Sequence, residues 1–168
     1  MTRERKAELV HRGGMHFSAT TGTGRTLEFG DFPGQNQASP VETIAAAIAA
    51  CSAMDVVSIL EKKRQVVDAY RVSVSAIQRD EYPQVLTRID ILHDVTGTAV
   101  TEVAVRRAVE LSARKYCPVN AMLSAGATEV THRYRVQQTG DGEVVAASGV
   151  IEGVAAVTGP YQRPDPVD

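Results

Sequence analysis

Two thiols and one acid are the residues best placed to do chemistry in this chain. Cys51 lies in the middle of SPVETIAAAIAACSAMDVVSIL, residues 39–60, and Asp55 follows four residues later. The second thiol, Cys117, stands in the segment KYCPVN. A buried cysteine usually behaves as a small hydrophobe. A buried carboxylate is unusual, because an isolated charge is costly to desolvate and needs a partner. Two thiols this far apart along a chain make poor metal ligands, since zinc usually takes four closely spaced donors. A permanent disulfide is disfavoured in the cytosol. Two readings stay open: unrelated buried thiols, or a redox pair that cycles.

The composition frames that choice. The 168 residues carry a net charge of −2, so no broad attraction to nucleic acid or anionic lipid follows. Lys and Arg occur in short groups such as RERK and EKKR, which suit a solvated surface. The N-terminal MTRERKAEL lacks the apolar stretch of a secretory signal. Ile44 to Leu60 is the one membrane candidate. It is short for a span, rich in alanine, and interrupted by Asp55, so it reads as a buried core helix. The expected location is cytoplasmic, with no membrane and no nucleic-acid partner.

Several elements must position the thiols. KAELVHRGG, MHFSATTGTG and RTLEFGD read as short antiparallel strands joined by glycine turns. After the polar FPGQNQAS, Ser39, Pro40 and Glu42 form a capping-box pattern that starts a long helix running to about Arg64. Residues 69–77 alternate as a half-buried strand with Tyr70, Val72, Val74 and Ala76 on one face. RDEYPQ makes a turn, and VLTRIDILHDV completes a hairpin. Thr98 is the expected cap of a second helix reaching about Tyr116, with Ala104, Ala108 and Leu111 on its apolar face. A short helix is expected from Pro118 to Ser124, then a last core strand, EVTHRYRVQ.

Segregated strands and helices argue for an α+β fold. The division expected is a domain over residues 1–138 and a C-terminal extension over 139–168. That extension would add a strand or pack on a partner, and its proline-rich tip would be disordered. The long helix is apolar over much of its circumference, so both sides need cover. In a small chain, a second subunit supplies it.

The pattern of Pro40, Glu42 and Cys51 on a long apolar helix, then a hairpin, then a helix ending in Cys117-Pro118-Val119, resembles the OsmC/Ohr family. The likeness covers roughly residues 5–138. It implies an intertwined homodimer whose long helices are enclosed between antiparallel sheets. It also implies a thiol peroxidase that reduces organic hydroperoxides. Carried over, Cys51 is the peroxidatic thiol and Cys117 the resolving one. A lipoyl-type or small-molecule dithiol would be the reductant, and no metal or organic cofactor would be needed.

Physical chemistry sets conditions on that role. A free thiol with a pKa near ~8.5 is only a few per cent ionised at pH 7. Lowering it by about two units needs nearly 3 kcal/mol. Burial pushes the other way, and so does an ionised Asp55. A cation is therefore required. HRGGMHFS resembles the family's first glycine turn, which nominates Arg12, and Arg25 is a weaker substitute. A guanidinium can bridge a thiolate and a carboxylate at once.

Glu42 has two readings, a catalytic group or simply the capping-box residue. Nine residues from Cys51 is about half a turn out of phase at roughly 100° per residue. In the hydroperoxide-resistance subclass the glutamate lies one residue earlier, where this chain has Val41. Cys117 before Pro118 would feel a helix N-terminus favouring thiolate and the end of the preceding helix opposing it. His11, His16, His93 and His132 are dispersed and suit ordinary strand positions. Met15, Phe17 and Met54 read as core or as pocket wall. The alternative function is a redox-sensitive binding protein for an apolar metabolite or lipid, with no turnover.

Overall fold

The computed structural model describes residues 3–31, 36–140 and 143–151. The chain divides into two compact units, Met1–Ile44 and Ala45–Asp168. In the first, β1 (Ala7–Gly13), β2 (His16–Thr21) and β3 (Thr26–Phe29) form an antiparallel sheet in that order. The turn from β1 to β2 requires positive φ at Gly13 and Gly14, 114° and 56°, which glycine adopts without Cβ strain. The three glycine-punctuated segments therefore fold as their pattern predicts.

Helix α1 spans Pro40–Lys62. Its start is a reciprocal capping box. The Ser39 amide donates to Glu42 Oε2 at 2.8 Å, and the Glu42 amide donates to Ser39 Oγ at 3.2 Å. Ile48, Ser52, Val56 and Leu60 are buried at four-residue steps, forming one stripe. Elsewhere on the helix Ile44, Met54 and Val57 are exposed, Met54 by 74%. Among the described residues, α1 is the helix long and apolar enough to cross a membrane by length and composition.

The second unit holds a four-stranded sheet in the order β4 (Ala69–Gln78), β5 (Leu86–Gly97), β6 (Glu129–Gly140), β7 (Glu143–Ile151). The pairs β4–β5 and β6–β7 are antiparallel, but β5–β6 is parallel. The sheet is thus mixed, where antiparallel sheets were expected. The physical reason is the helical connection between β5 and β6, which returns the chain to run in the same direction. Strand β7 falls in the segment expected to be an extension, and it pairs with β6 along its length. Gly149 lies opposite Tyr134, and a Cβ there would sit 2.3 Å from the tyrosine hydroxyl. The proline-rich tip lies outside the described residues, as does part of the loop after β3.

Helix α2 runs Glu102–Leu111, and its cap is Thr101, not Thr98. Ala99 is tied into a bridge with Val66, so the chain is still extended there. Thr101 Oγ1 accepts from the Ala104 amide at 3.3 Å, while Gln65 Oε1 accepts from the Thr101 amide at 2.8 Å. Residues Ser112–Tyr116 then form a π-helical turn, closed by the Cys117 amide donating to Ser112 O at 3.0 Å. Helix α3, Pro118–Ser124, follows directly, with the span expected from Pro118. Val56, Leu60, Val95, Val100, Val105, Ala108, Val109 and Val136 make the core. Each large member contributes roughly 1.5–3 kcal/mol by burial.

Candidate functional site

Cys51 and Asp55 are one helical turn apart on α1, so their side chains share a face. Cys117 sits where the π-helical turn hands over to α3. The Sγ atoms of Cys51 and Cys117 and a carboxylate oxygen of Asp55 all lie within 4.8 Å of one another. Two thiols separated by 65 intervening positions thus meet. The fold supplies the closeness that the spacing along the chain lacks. Both cysteines are free, Cys117 buried and Cys51 half-buried.

Two of the three members are held by hydrogen bonds from outside the cluster. The Asn120 amide donates to Cys117 Sγ at 3.3 Å, so the sulfur caps α3 where a hydroxyl or carboxylate usually would. Ser112 Oγ donates to Asp55 Oδ2 at 3.0 Å. Burial pushes the Cys117 thiol up to about 12, aided by its hydrogen bond with Cys51 and opposed by the Asn120 amide. The thiol therefore keeps its proton, and burial outweighs the favourable helix start. Desolvation also raises Asp55, against the Ser112 hydrogen bond. A cavity of about 350 Å³ adjoins Asp55, walled by Ile59, Leu111 and Tyr116, with Lys62 and Lys63 also lining it.

Behind this cluster runs a buried polar row that sequence reasoning missed. His93 and His132 are fully enclosed, at 0% and 1% exposure. Their ring planes are within 10° of each other with centroids 5.5 Å apart, and the Tyr70 ring is likewise within 10° of the His93 plane at 6.1 Å. Hydrogen-bond directions follow from one fixed end. The Ala113 carbonyl can only accept, so Asn120 Nδ2 faces it at 2.7 Å and Oδ1 faces His132. His132 Nε2–H then donates to Asn120 at 3.1 Å, and His132 Nδ1 accepts from His93 Nε2–H at 3.2 Å. His93 Nδ1 is left to accept from the Tyr70 hydroxyl at 2.7 Å. A long contact of 3.5 Å also joins His93 Nε2 to Ser52 Oγ, which lies 3.0 Å from Ser112 Oγ.

Burial depresses both imidazoles, His93 to about 3 and His132 to about 4, so both are neutral at pH 7. A signal for them was present. His93 alternates in phase with inward Ile89, Ile91 and Val95, and His132 with Val130, Tyr134 and Val136.

The remaining nominated residues have local partners. Arg12, on exposed β1, donates through Nε to Ser18 Oγ at 3.0 Å. Ser18 Oγ in turn donates to Glu28 Oε2 at 2.9 Å, and His16 Nε2 lies 2.6 Å from the same oxygen. These hydrogen bonds, from His16 first, lower the Glu28 carboxyl, with a further contribution from the Arg12 charge. Glu42 is engaged with Ser39, whose amide first, and hydroxyl second, hold its carboxyl low. Met15 and Met54 are exposed, not core.

The model of the family described as OsmC-like protein matches residues 33–133. The Escherichia coli K12 protein YhfA is 40% identical over 123 residues, which is 73% of this chain and 91% of YhfA. The chain belongs to the OsmC-like family.

Solved structures are similar in fold across most of its length. The crystal structure of an Aquifex aeolicus protein superposes with a TM-score of 0.74 at 29% identity, covering 82% of this chain and 99% of that one. An organic hydroperoxide resistance protein from Elizabethkingia anophelis shares the fold at 16% identity, with a TM-score of 0.62 over 83% of this chain and 99% of that one.

Proposed function

We propose that this OsmC-like protein is a cytoplasmic, homodimeric thiol peroxidase acting on organic hydroperoxides. The carrying observation is the approach of the Cys51 and Cys117 sulfurs to within 4.8 Å. The Cys51 thiolate attacks the terminal oxygen of ROOH and the O–O bond breaks. Cys51 becomes a sulfenic acid, and the departing alkoxide takes a proton and leaves as ROH. Cys117 then attacks the sulfenic sulfur, water departs, and a Cys51–Cys117 disulfide remains. An external dithiol returns two electrons and two protons.

Several features support this division of labour. Cys117 holds its proton while waiting, which suits a resolving thiol, and its hydrogen bond is with Cys51. Side-chain rotation must bring the sulfurs from their present separation to the ~2.05 Å of a disulfide. The cavity beside Asp55 offers apolar walls to an alkyl tail. On the family resemblance, Arg12 would be the cation that favours the Cys51 thiolate and Glu42 a further catalytic group, although each has a local hydrogen-bond partner in Ser18 and Ser39. Residues 1–138 form the family domain in this reading, with 139–168 as an appended segment. The exposed Ile44, Met54 and Val57 of α1 support a second subunit as cover.

The test is to mix reduced protein with cumene hydroperoxide and count free thiols. Both should disappear rapidly and return with a dithiol. Cys51→Ser should abolish consumption, and Cys117→Ser should stop at a dimedone-reactive sulfenic acid. Retention of both thiols would refute the peroxidase and leave a binding protein for an apolar ligand.

A further inference from the structure

We propose that Cys51, Asp55 and Cys117 together form a binding site for a borderline-soft divalent cation of the zinc class, with one coordination position left open. It is the one group of three metal-ligating side chains that converges among the described residues. Two thiolates and a carboxylate favour zinc-class ions over calcium or magnesium, which prefer all-oxygen sets.

The distances suit the ion. Tetrahedral coordination with Zn–S near 2.3 Å and Zn–O near 2.1 Å places neighbouring donors about 3.6–3.8 Å apart. The donors lie within 4.8 Å already, so closing the site takes side-chain rotation of about 1 Å or less. Cys51 and Asp55 come from adjacent turns of a single helix, which fixes their relative placement. Cys117 comes from a different element, so the three do not lie on one line of a surface.

The surroundings hold two of the three donors, Cys117 and Asp55, as metal ligands are commonly held. Good sites fix each ligand through a hydrogen bond on its far side. Here the Asn120 amide holds Cys117 Sγ and the Ser112 hydroxyl holds Asp55 Oδ2. Ser112 is itself 3.0 Å from Ser52, and Asn120 is pinned by Ala113 O and His132, so the holders are themselves fixed. The cavity lined by Asp55 lets the open position reach a small ligand or solvent.

With both sulfurs as thiolates and Asp55 ionised, a bound dication makes a complex of one net negative charge. Metal and hydroperoxide would then compete for the same sulfurs. The metal site itself does not rest on the peroxidase reading, because its test uses no peroxide.

The experiment titrates untagged, fully reduced protein with Cd²⁺ under anaerobic conditions and follows the thiolate-to-cadmium charge-transfer band in the ultraviolet. Zn²⁺ affinity is read by competition with a chromophoric chelator. The band should saturate at one Cd²⁺ per chain. Cys51→Ser and Cys117→Ser should each weaken Zn²⁺ binding by more than about 100-fold, beyond the usual effect of losing a group that merely holds a ligand. Ser112→Ala should weaken it about 10-fold. Asp55→Asn, a near-isosteric change that keeps the fold, should weaken it more than Ser112→Ala does.

A missing band in the wild type overturns the proposal. So does Zn²⁺ binding to Asp55→Asn as tight as to wild type, which reduces the site to a dithiol. A protein that binds Cd²⁺ but ignores cumene hydroperoxide refutes the peroxidase alone. One that consumes peroxide and shows no band refutes the metal site alone.

Discussion

The histidine row and the thiol cluster are both polar groups set into an apolar interior, yet they are built on opposite terms. In the row from Tyr70 through His93 and His132 to Asn120, each linking nitrogen and oxygen has a neutral partner, and the order of donors is fixed from one end. Such a chain is stable and inert, because satisfied buried polar groups specify a structure and leave nothing to react. The cluster of Cys51, Asp55 and Cys117 gathers three acids, of which burial and mutual contact keep at least Cys117 protonated. It retains unused bonding capacity beside a cavity. The two regions are closely joined through Asn120 and Ser52, so the satisfied row fixes the positions of the cluster.

Substitutions should separate the two. The largest stability effect is expected for His132→Leu, which leaves Asn120 Oδ1 without its donor and takes the acceptor from His93. Two stranded buried groups cost about 3 kcal/mol or more, measured by urea unfolding at pH 7.5. An unchanged midpoint would mean that the row carries no structural weight.

Acid comes next. Folded values near 4 for His132 and near 3 for His93 lie below the unfolded value near 6.5. The unfolded chain therefore binds protons first as pH falls. Stability is complete above about pH 6.5 and declines from there toward pH 4 and 3, by on the order of 1.4 kcal/mol per pH unit for each histidine. Unfolding at pH 6.5 and 5.5 should differ by about 2 kcal/mol, and His132→Gln should roughly halve that slope.

Gly149→Ala should cost about 1–2 kcal/mol, because its methyl group meets the Tyr134 hydroxyl and the sheet must shift. The smallest effect is expected in the cluster. Asp55→Asn should change stability by under about 1 kcal/mol, since a half-exposed carboxyl gives way to an amide of similar shape. Its effect on thiol reactivity toward an alkylating reagent should be plain. If Asp55→Asn destabilised the protein as much as His132→Leu, the contrast between the regions would fail.

Much of the frame was legible in the chain because local rules wrote it. Ser39 and Glu42 mark the start of α1, Pro118 the start of α3, and two-residue alternation marks the strands. Thr98 misled because a threonine before an apolar run can cap a helix or end a strand. The Val66–Ala99 bridge and the Gln65 side chain, both distant in sequence, move the cap to Thr101. The parallel pairing of β5 with β6 depends on the route of the helical connection, and no local pattern encodes it. The thiols were recognisable as a pair through resemblance, but their meeting with Asp55 required the fold. The histidines were set aside one at a time, although their phase among Ile, Val and Tyr residues pointed inward; what they bond is visible only across strands.

The wide turn at Ser112–Tyr116 accommodates one peptide more per revolution than an ordinary helix would. Deleting a single residue from it would swing the downstream chain by about 100°. Cys117 would turn from its fellow thiol and Asn120 from the Ala113 carbonyl, while the apolar interior stayed nearly as it is. Whether the two sulfurs approach each other is therefore a matter of counting: one residue in the backbone separates a pair within 4.8 Å from a pair turned apart.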